Sequence, residues 1–184
     1  EEESSKSIFE SFDLFIGTSA GATNALMLAM NGSKIKDLEK FWTVDNLKKI
    51  MNQSFIDKTS IFQTRPKYSN EGKKEILHNF FENKKIGQSL KPVVVTAYDL
   101  EARKPILLSS YGDPEVTAVQ AANASSAAPI YFPTASMEDG RWLIDGGIAT
   151  NNPSLIGYVE AKKLFSTCLL YTYPSPRDPH LSRM

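Results

Sequence analysis

The chain of 184 residues holds one cysteine, Cys168, and two histidines, His78 and His180. One cysteine forbids an intrachain disulfide, and with two histidines it supplies no zinc-type ligand set, so neither a metal nor another cofactor is expected. Cys168 reads as a small buried hydrophobe rather than a reactive thiol. Net charge is zero, with 21 Lys+Arg against 21 Asp+Glu, which lacks the basic excess of a nucleic-acid binder. No run approaches the roughly eighteen apolar residues of a membrane span. The chain begins Glu1-Glu2-Glu3 without methionine, so location stays open between cytoplasmic and secreted. What remains, 41% hydrophobic and 23% charged, is the composition of one ordinary domain able to bury roughly 70% of its unfolded surface.

Against this background one motif stands out: Gly17-Thr18-Ser19-Ala20-Gly21, between the mostly apolar run Phe12 to Ile16 and the helix-forming run Ala22 to Ala29. A strand, a tight Gly-flanked turn and a helix have the form of a nucleophile elbow, with Ser19 pushed out of the sheet edge. The bend needs Gly17 and Gly21 because side chains there would clash, and the first amides of the helix point at the site and favour negative charge. A plain strand-to-helix turn with a serine cap is the alternative.

Strand and helix signals alternate along the rest of the chain. The elbow helix should stop near Asn31-Gly32. Residues 35–51 suit an amphipathic helix broken around Val44, and 71–81 another, with Ile76, Leu77, Phe80 and Phe81 on one side and Lys73, Lys74 and His78 nearer the other. Pro92 to Tyr98 is β-branched and continuous, as in a central strand buried on both faces, and Asp99 ends it. Pro105 to Leu108 forms the next strand, Pro114 to Ala127 a helix, and Arg141 to Ile144 a short strand leading into Asp145-Gly146-Gly147. Pro153 to Phe165 is a last helix, capped by Asn152. Such alternation implies an α/β layered fold. After Leu170 three prolines fall within six residues, so 1–170 is expected to be the domain and 171–184 a tail outside its core.

A serine nucleophile needs a base. His78 falls on the solvent side of a helix and His180 in the proline-rich tail, so neither makes a Ser-His-Asp triad. Asp145 is the better candidate. It ends a strand, where catalytic side chains of α/β sheets gather, and Gly146-Gly147 lets the backbone turn tightly enough for the carboxylate to reach another loop. A plain Asp-Gly-Gly turn is the competing reading.

Gly17 to Gly21, Ala124-Ser125-Ser126-Ala127-Ala128-Pro129 followed by Ile130-Tyr131-Phe132-Pro133, and Asp145-Gly146-Gly147 with Asn151-Asn152-Pro153 occur in the order found in patatin-like phospholipases. The chain resembles that family from about Phe12 to Phe165. The resemblance implies a three-layer α/β/α domain with a central, mostly parallel sheet. It also implies a calcium-independent lipid acyl hydrolase of phospholipase A type, with Ser19 as nucleophile, Asp145 as general base and an acyl-serine intermediate.

The family also carries a Gly-rich run of the form Asp-Gly-Gly-Gly-x-Arg-Gly upstream of the elbow, whose amides form the oxyanion hole. Here Gly17 is the first glycine. The domain is therefore expected to be truncated at both ends, and weakly active or inactive as given, since each lost oxyanion donor removes about a hundred- to a thousandfold in rate. The Ala20 amide supplies one remaining donor.

An acyl hydrolase also needs an apolar channel. Pro129, Ile130, Tyr131 and Phe132 are candidates to line it, with Met27 and Met30 as adaptable walls, although ordinary core packing explains most of these residues as well. The substrate implied is a phospholipid or another acyl lipid, with room for peripheral membrane contact; Lys34, Lys36, Lys40, Lys48 and Lys49 read as a solvated helix face rather than a lipid-facing patch. Two other functions fit the residues: a non-catalytic lipid-binding or storage relative, and an esterase or acyltransferase on small acyl donors. A nucleotide-binding domain is disfavoured, because Gly17 to Ala22 fits neither phosphate-loop spacing. Oligomeric state is not legible.

Overall fold

The computed structural model describes residues 7–52 and 65–165, so Cys168, His180 and the tail 171–184 lie outside the described residues. A short helix α1 (Ile8–Ser11), closed by a capping box from Ser7 and Glu10, leads into strand β1 (Phe15–Gly17). Helix α2 (Ala20–Asn31) follows, buried along most of its length, and ends at Gly32 in the left-handed conformation (φ 58°), the C-cap expected from the sequence. The next amphipathic stretch divides into α3 (Ile35–Phe41) and α4 (Val44–Ile50), because Thr43 adopts an extended backbone and caps α4 through the Asn46 amide. Helix α5 (Glu71–Phe81) then precedes the central strand β2 (Val93–Asp99) and its neighbour β3 (Lys104–Ser109).

The alanine-rich segment is helical only as α6 (Ala118–Ser125), shorter than 114–127. Thr117 and Gln120 form a capping box that fixes its start. Strands β4 (Ala135–Ser136) and β5 (Trp142–Asp145) and helix α7 (Ser154–Leu164) complete the described fold. Helix α7 starts one residue later than expected, with Pro153 rather than Asn152 at the N-cap; Asn152 sits one residue before it, its side-chain oxygen accepting from the Ser154 amide at 3.0 Å.

The expected α/β class holds, but the strand directions differ from a mostly parallel sheet. Among the described residues β1 pairs with β2 in parallel, whereas β2 with β3, β2 with β5 and β4 with β5 are antiparallel. For β2–β3 and β4–β5 the physical reason is connection length. Only residues 100–103 join β2 to β3 and 137–141 join β4 to β5, and links this short make hairpins, while a parallel return needs a crossover of about a dozen residues or more.

The buried faces explain the layering. Strand β2 is covered on both sides, as its uninterrupted β-branched sequence requires. Phe15 and Gly17 of β1 are buried with α2, while Ile16, on the opposite face, meets Gly157 of α7 at a separation only a glycine accommodates comfortably. Tyr111 holds α7 through a 2.5 Å hydrogen bond to the buried Glu160 carboxylate, which also accepts from Lys163 of the same helix at 2.6 Å; Lys163 and Tyr111 keep it below the usual carboxylate range.

One topological detail positions the site. β3 runs along one edge of β2, and the other edge is shared: Val93 to Val95 pair with β1, Ala97 to Asp99 with β5. Because β1 runs with β2 and β5 against it, their C-terminal ends point at each other across Thr96.

Candidate active site

Ser19 stands at the sharp turn from β1 into α2. Its backbone has φ 56° and ψ −124°, a region a serine occupies only when its surroundings hold it there. Gly17 makes the turn feasible: a Cβ there would lie 2.2 Å from the Gly21 carbonyl oxygen. Gly21 differs from the sequence reading. It is exposed and a Cβ would meet nothing within 4 Å, so the bend does not require a glycine at that position.

Across the gap, Asp145 ends β5 and is 6% exposed. Its Oδ2 accepts a hydrogen bond of 2.6 Å from Ser19 Oγ, and its Oδ1 accepts from the Gly147 amide at 2.7 Å. Both carboxylate oxygens are thus held, one by its own turn and one by the serine, while the Asp145 amide donates to the Ala127 carbonyl at 3.1 Å. Gly146 permits this approach, since a Cβ there would lie 2.2 Å from Thr96 Oγ1 and 2.6 Å from the Thr96 carbonyl oxygen. A hydroxyl this close to a buried carboxylate has an acceptor for its proton within the reach general-base chemistry requires.

Threonines and serines the sequence reading did not single out brace the pair. Thr18 Oγ1 donates to the Thr150 carbonyl at 2.8 Å, which leaves Thr96 Oγ1 to donate to Thr18 Oγ1 at 2.7 Å. One short chain of bonds therefore ties the elbow to β2 and to the loop after Asp145. On the other side the fully buried Ser125 Oγ accepts from the Ser19 amide at 2.8 Å. Ala20, whose amide at the first position of α2 has no partner within the helix, lines the cavity beside Ser19.

That cavity has a volume of ≈ 160 Å³ and is lined by Ser19, Ala20, Trp42, Lys73, Leu77 and Phe132, among others. Trp42 is oriented by its indole N–H, which donates to Asn24 Oδ1 at 2.7 Å. Of the four residues proposed for a channel, Phe132 borders the cavity; Pro129, Ile130 and Tyr131 are exposed outside it, and Tyr131 stacks instead on Tyr68. Met27 and Met30 are core residues, 1% and 5% exposed. His78 is exposed on α5, away from Ser19.

Lys73 departs furthest from expectation. Placed by its charge on the outer side of α5, it is 4% exposed in the structure and points into the cavity wall. Burial pulls its pKa from 10.5 down to about 7, against the opposing pull of the Asp145 charge.

The sequence model described as Patatin-like phospholipase matches residues 4–156. The chain belongs to the patatin-like phospholipase family. Its relatives include Patatin-like protein 4 of Arabidopsis thaliana, 30% identical over 163 residues, covering 79% of this chain and 41% of that protein. The cGAMP-activated phospholipase of Escherichia coli (strain TW11681) is 31% identical over 170 residues, covering 81% of this chain and 44% of that protein. The chain thus spans less than half the length of these curated relatives. The solved structure of VipD from Legionella pneumophila aligns with a TM-score of 0.33 at 18% identity, over 69% of this patatin-like chain and 23% of that one. No helix among the described residues is long and apolar enough to cross a membrane.

Proposed function

We propose that this patatin-like chain carries the catalytic pair of a lipid acyl hydrolase, with Ser19 as nucleophile and Asp145 as general base. The observation that carries the reading is the 2.6 Å hydrogen bond from Ser19 Oγ to a buried carboxylate at the edge of an apolar cavity. Ser19 Oγ attacks the ester carbonyl carbon as Asp145 Oδ2 takes its proton, and the carbonyl oxygen becomes an oxyanion facing the Ala20 amide. Collapse expels the alcohol, which leaves with the proton from Asp145, and an acyl-serine remains. Water then attacks the acyl carbon, giving its proton to Asp145, and Ser19 recovers that proton as the carboxylic acid departs. The strained elbow keeps Oγ aimed throughout, and the Thr96-Thr18-Thr150 chain and Ser125 supply the rigidity.

A phospholipid substrate is supported by the name borne by the bacterial relatives. The cavity, ≈ 160 Å³ and open to the surface, takes the acyl segment next to the ester and lets a longer chain extend outward. A fluorophosphonate probe tests the reading. An adduct mapped to Ser19 by peptide mass spectrometry and lost in Ser19→Ala supports it; a folded chain with Ser19 unmodified refutes it. Ester reporters of increasing acyl length should react faster than the acetate ester, and a flat profile would favour an esterase without a defined acyl pocket.

A further inference from the structure

Among the described residues Lys73 is the buried cation, and no carboxylate lies within ion-pair distance of it. Its ammonium donates to the Ser126 carbonyl at 3.1 Å and, less closely, to Ser126 Oγ at 3.4 Å. It also lies 4.0 Å from the centroid of the Phe132 ring. Of its three N–H donors two face Ser126 oxygens and the third has only the ring face, so no partner among the described residues carries a negative charge. Lys73, Ser126 and Phe132 all border the cavity that also contains Ser19.

A buried charge without a counter-ion is costly, and an uncharged side chain of similar length would fill the same volume at lower cost. Such a cation persists where a ligand supplies the missing charge. Asp145 does not supply it as a contact partner: its oxygens lie beyond ion-pair distance, and its charge reaches Lys73 only through space. The unmatched ammonium and the nucleophile share one cavity, so a substrate with its ester at Ser19 and an anionic group a few bonds away satisfies both. We propose that Lys73 is the specificity-determining residue of the site and receives the single negative charge of a phosphodiester on the acyl lipid. This rests on the acyl-hydrolase reading above and assigns recognition of the substrate's phosphate charge to one residue, Lys73, which that reading left without a role. Burial that draws Lys73 toward neutrality when the cavity is empty makes its charging responsive to an incoming anion.

The test is a binding titration that needs no turnover. Trp42 borders the cavity, so its fluorescence in a Trp142→Phe background reports occupancy. Hexyl methyl phosphate, hexanoate and hexanol share six carbons and differ in the head. The phosphodiester should bind at least tenfold more tightly than hexanol to the parent protein and to Lys73→Arg, and Lys73→Met should erase that advantage while leaving hexanol affinity within twofold. Equal affinities in the parent protein, an advantage that survives Lys73→Met, or equal weakening of both ligands in Lys73→Met would each overturn the proposal, the last by making Lys73 only a brace for Ser126. A Lys73-dependent gain confined to hexanoate would also overturn it, assigning the cation to the released fatty acid. Fluorophosphonate labelling in parallel separates the two readings: a labelled Ser19 without phosphodiester preference defeats this inference alone, whereas an unlabelled Ser19 defeats the hydrolase reading itself.

Discussion

A single methyl group at Gly146 should pull the two halves of the site apart. The added Cβ of Gly146→Ala would sit 2.2 Å from Thr96 Oγ1, 2.6 Å from the Thr96 carbonyl oxygen and 2.7 Å from the carbonyl carbon, where ordinary contact begins at 3.4 Å. The hydroxyl can rotate away, but the carbonyl belongs to the central strand and cannot. The end of β5 must therefore retreat by about 1 Å, and Asp145, one residue back, moves with it. Retreat along the line of the Ser19–Asp145 bond takes it from 2.6 Å to roughly 3.5 Å, outside hydrogen-bond range. A misplacement of that size lowers a positioned reaction by about a hundredfold, and the overpacking destabilises the fold by about 1–3 kcal/mol. The rate of fluorophosphonate labelling at Ser19 and a urea melt measure the two effects separately. Adding Thr96→Ala should restore little, because the backbone clash persists. Labelling of Gly146→Ala within twofold of the parent rate would refute the argument that close approach of β5 to β2 sets the geometry.

Other substitutions divide the site along its hydrogen bonds. Asp145→Asn keeps the shape but cannot accept the Ser19 proton as a carboxylate does, so labelling should slow by at least about a hundredfold with the melt little changed. Ser125→Ala leaves the Ser19 amide without its acceptor and should lower stability by about 1–3 kcal/mol, read by denaturation, together with a slower labelling rate. Gly21→Ala, within α2 and facing open space, should label like the parent protein and be stabilised by roughly 0.5–1 kcal/mol; a large loss of either would mean the elbow needs both glycines. Between pH 7 and 10.5 the folded chain holds Lys73 neutral while the unfolded chain still binds its proton, so stability relative to Lys73→Met should rise with pH across that window, by up to about 5 kcal/mol in all; denaturation at pH 6, 8 and 10 checks it, and a constant difference would contradict the buried cation.

What was legible in the sequence was local. The elbow is carried by five consecutive residues and the Asp145 turn by three, and each bend depends on glycines within it, Gly17 and Gly146. Helix α5 and strand β2 have the boundaries their periodicities indicate. Strand direction was less accessible: the mostly parallel sheet came from the family resemblance, whereas the short stretch between Asp99 and Pro105 is a hairpin signal in its own right. Thr96 could not be picked out. Its branched side chain suits any buried strand, and its role arises only because β1 and β5 end against each other on one edge of β2, a pairing between segments about 130 residues apart. Ser125 belongs to the motif of residues 124–129, but nothing in the sequence says that its hydroxyl meets the Ser19 amide, 106 residues away.

Lys73 is different, because its position in the helix repeat carries the signal that its charge hides. Positions 73, 76, 77, 80 and 81 follow the i, i+3, i+4, i+7, i+8 spacing of one helix face, which puts Lys73 in line with Ile76, Leu77, Phe80 and Phe81 rather than opposite them. Charge was allowed to outrank position, as surface statistics encourage. A lysine at a core position of an otherwise regular apolar face is a local conflict between pattern and chemistry, and such conflicts gather at functional sites, where folding stability yields to another demand. At Lys73 the conflict falls on the wall of the cavity that holds Ser19, with no carboxylate to resolve it inside the described protein, so its resolution is assigned to the substrate.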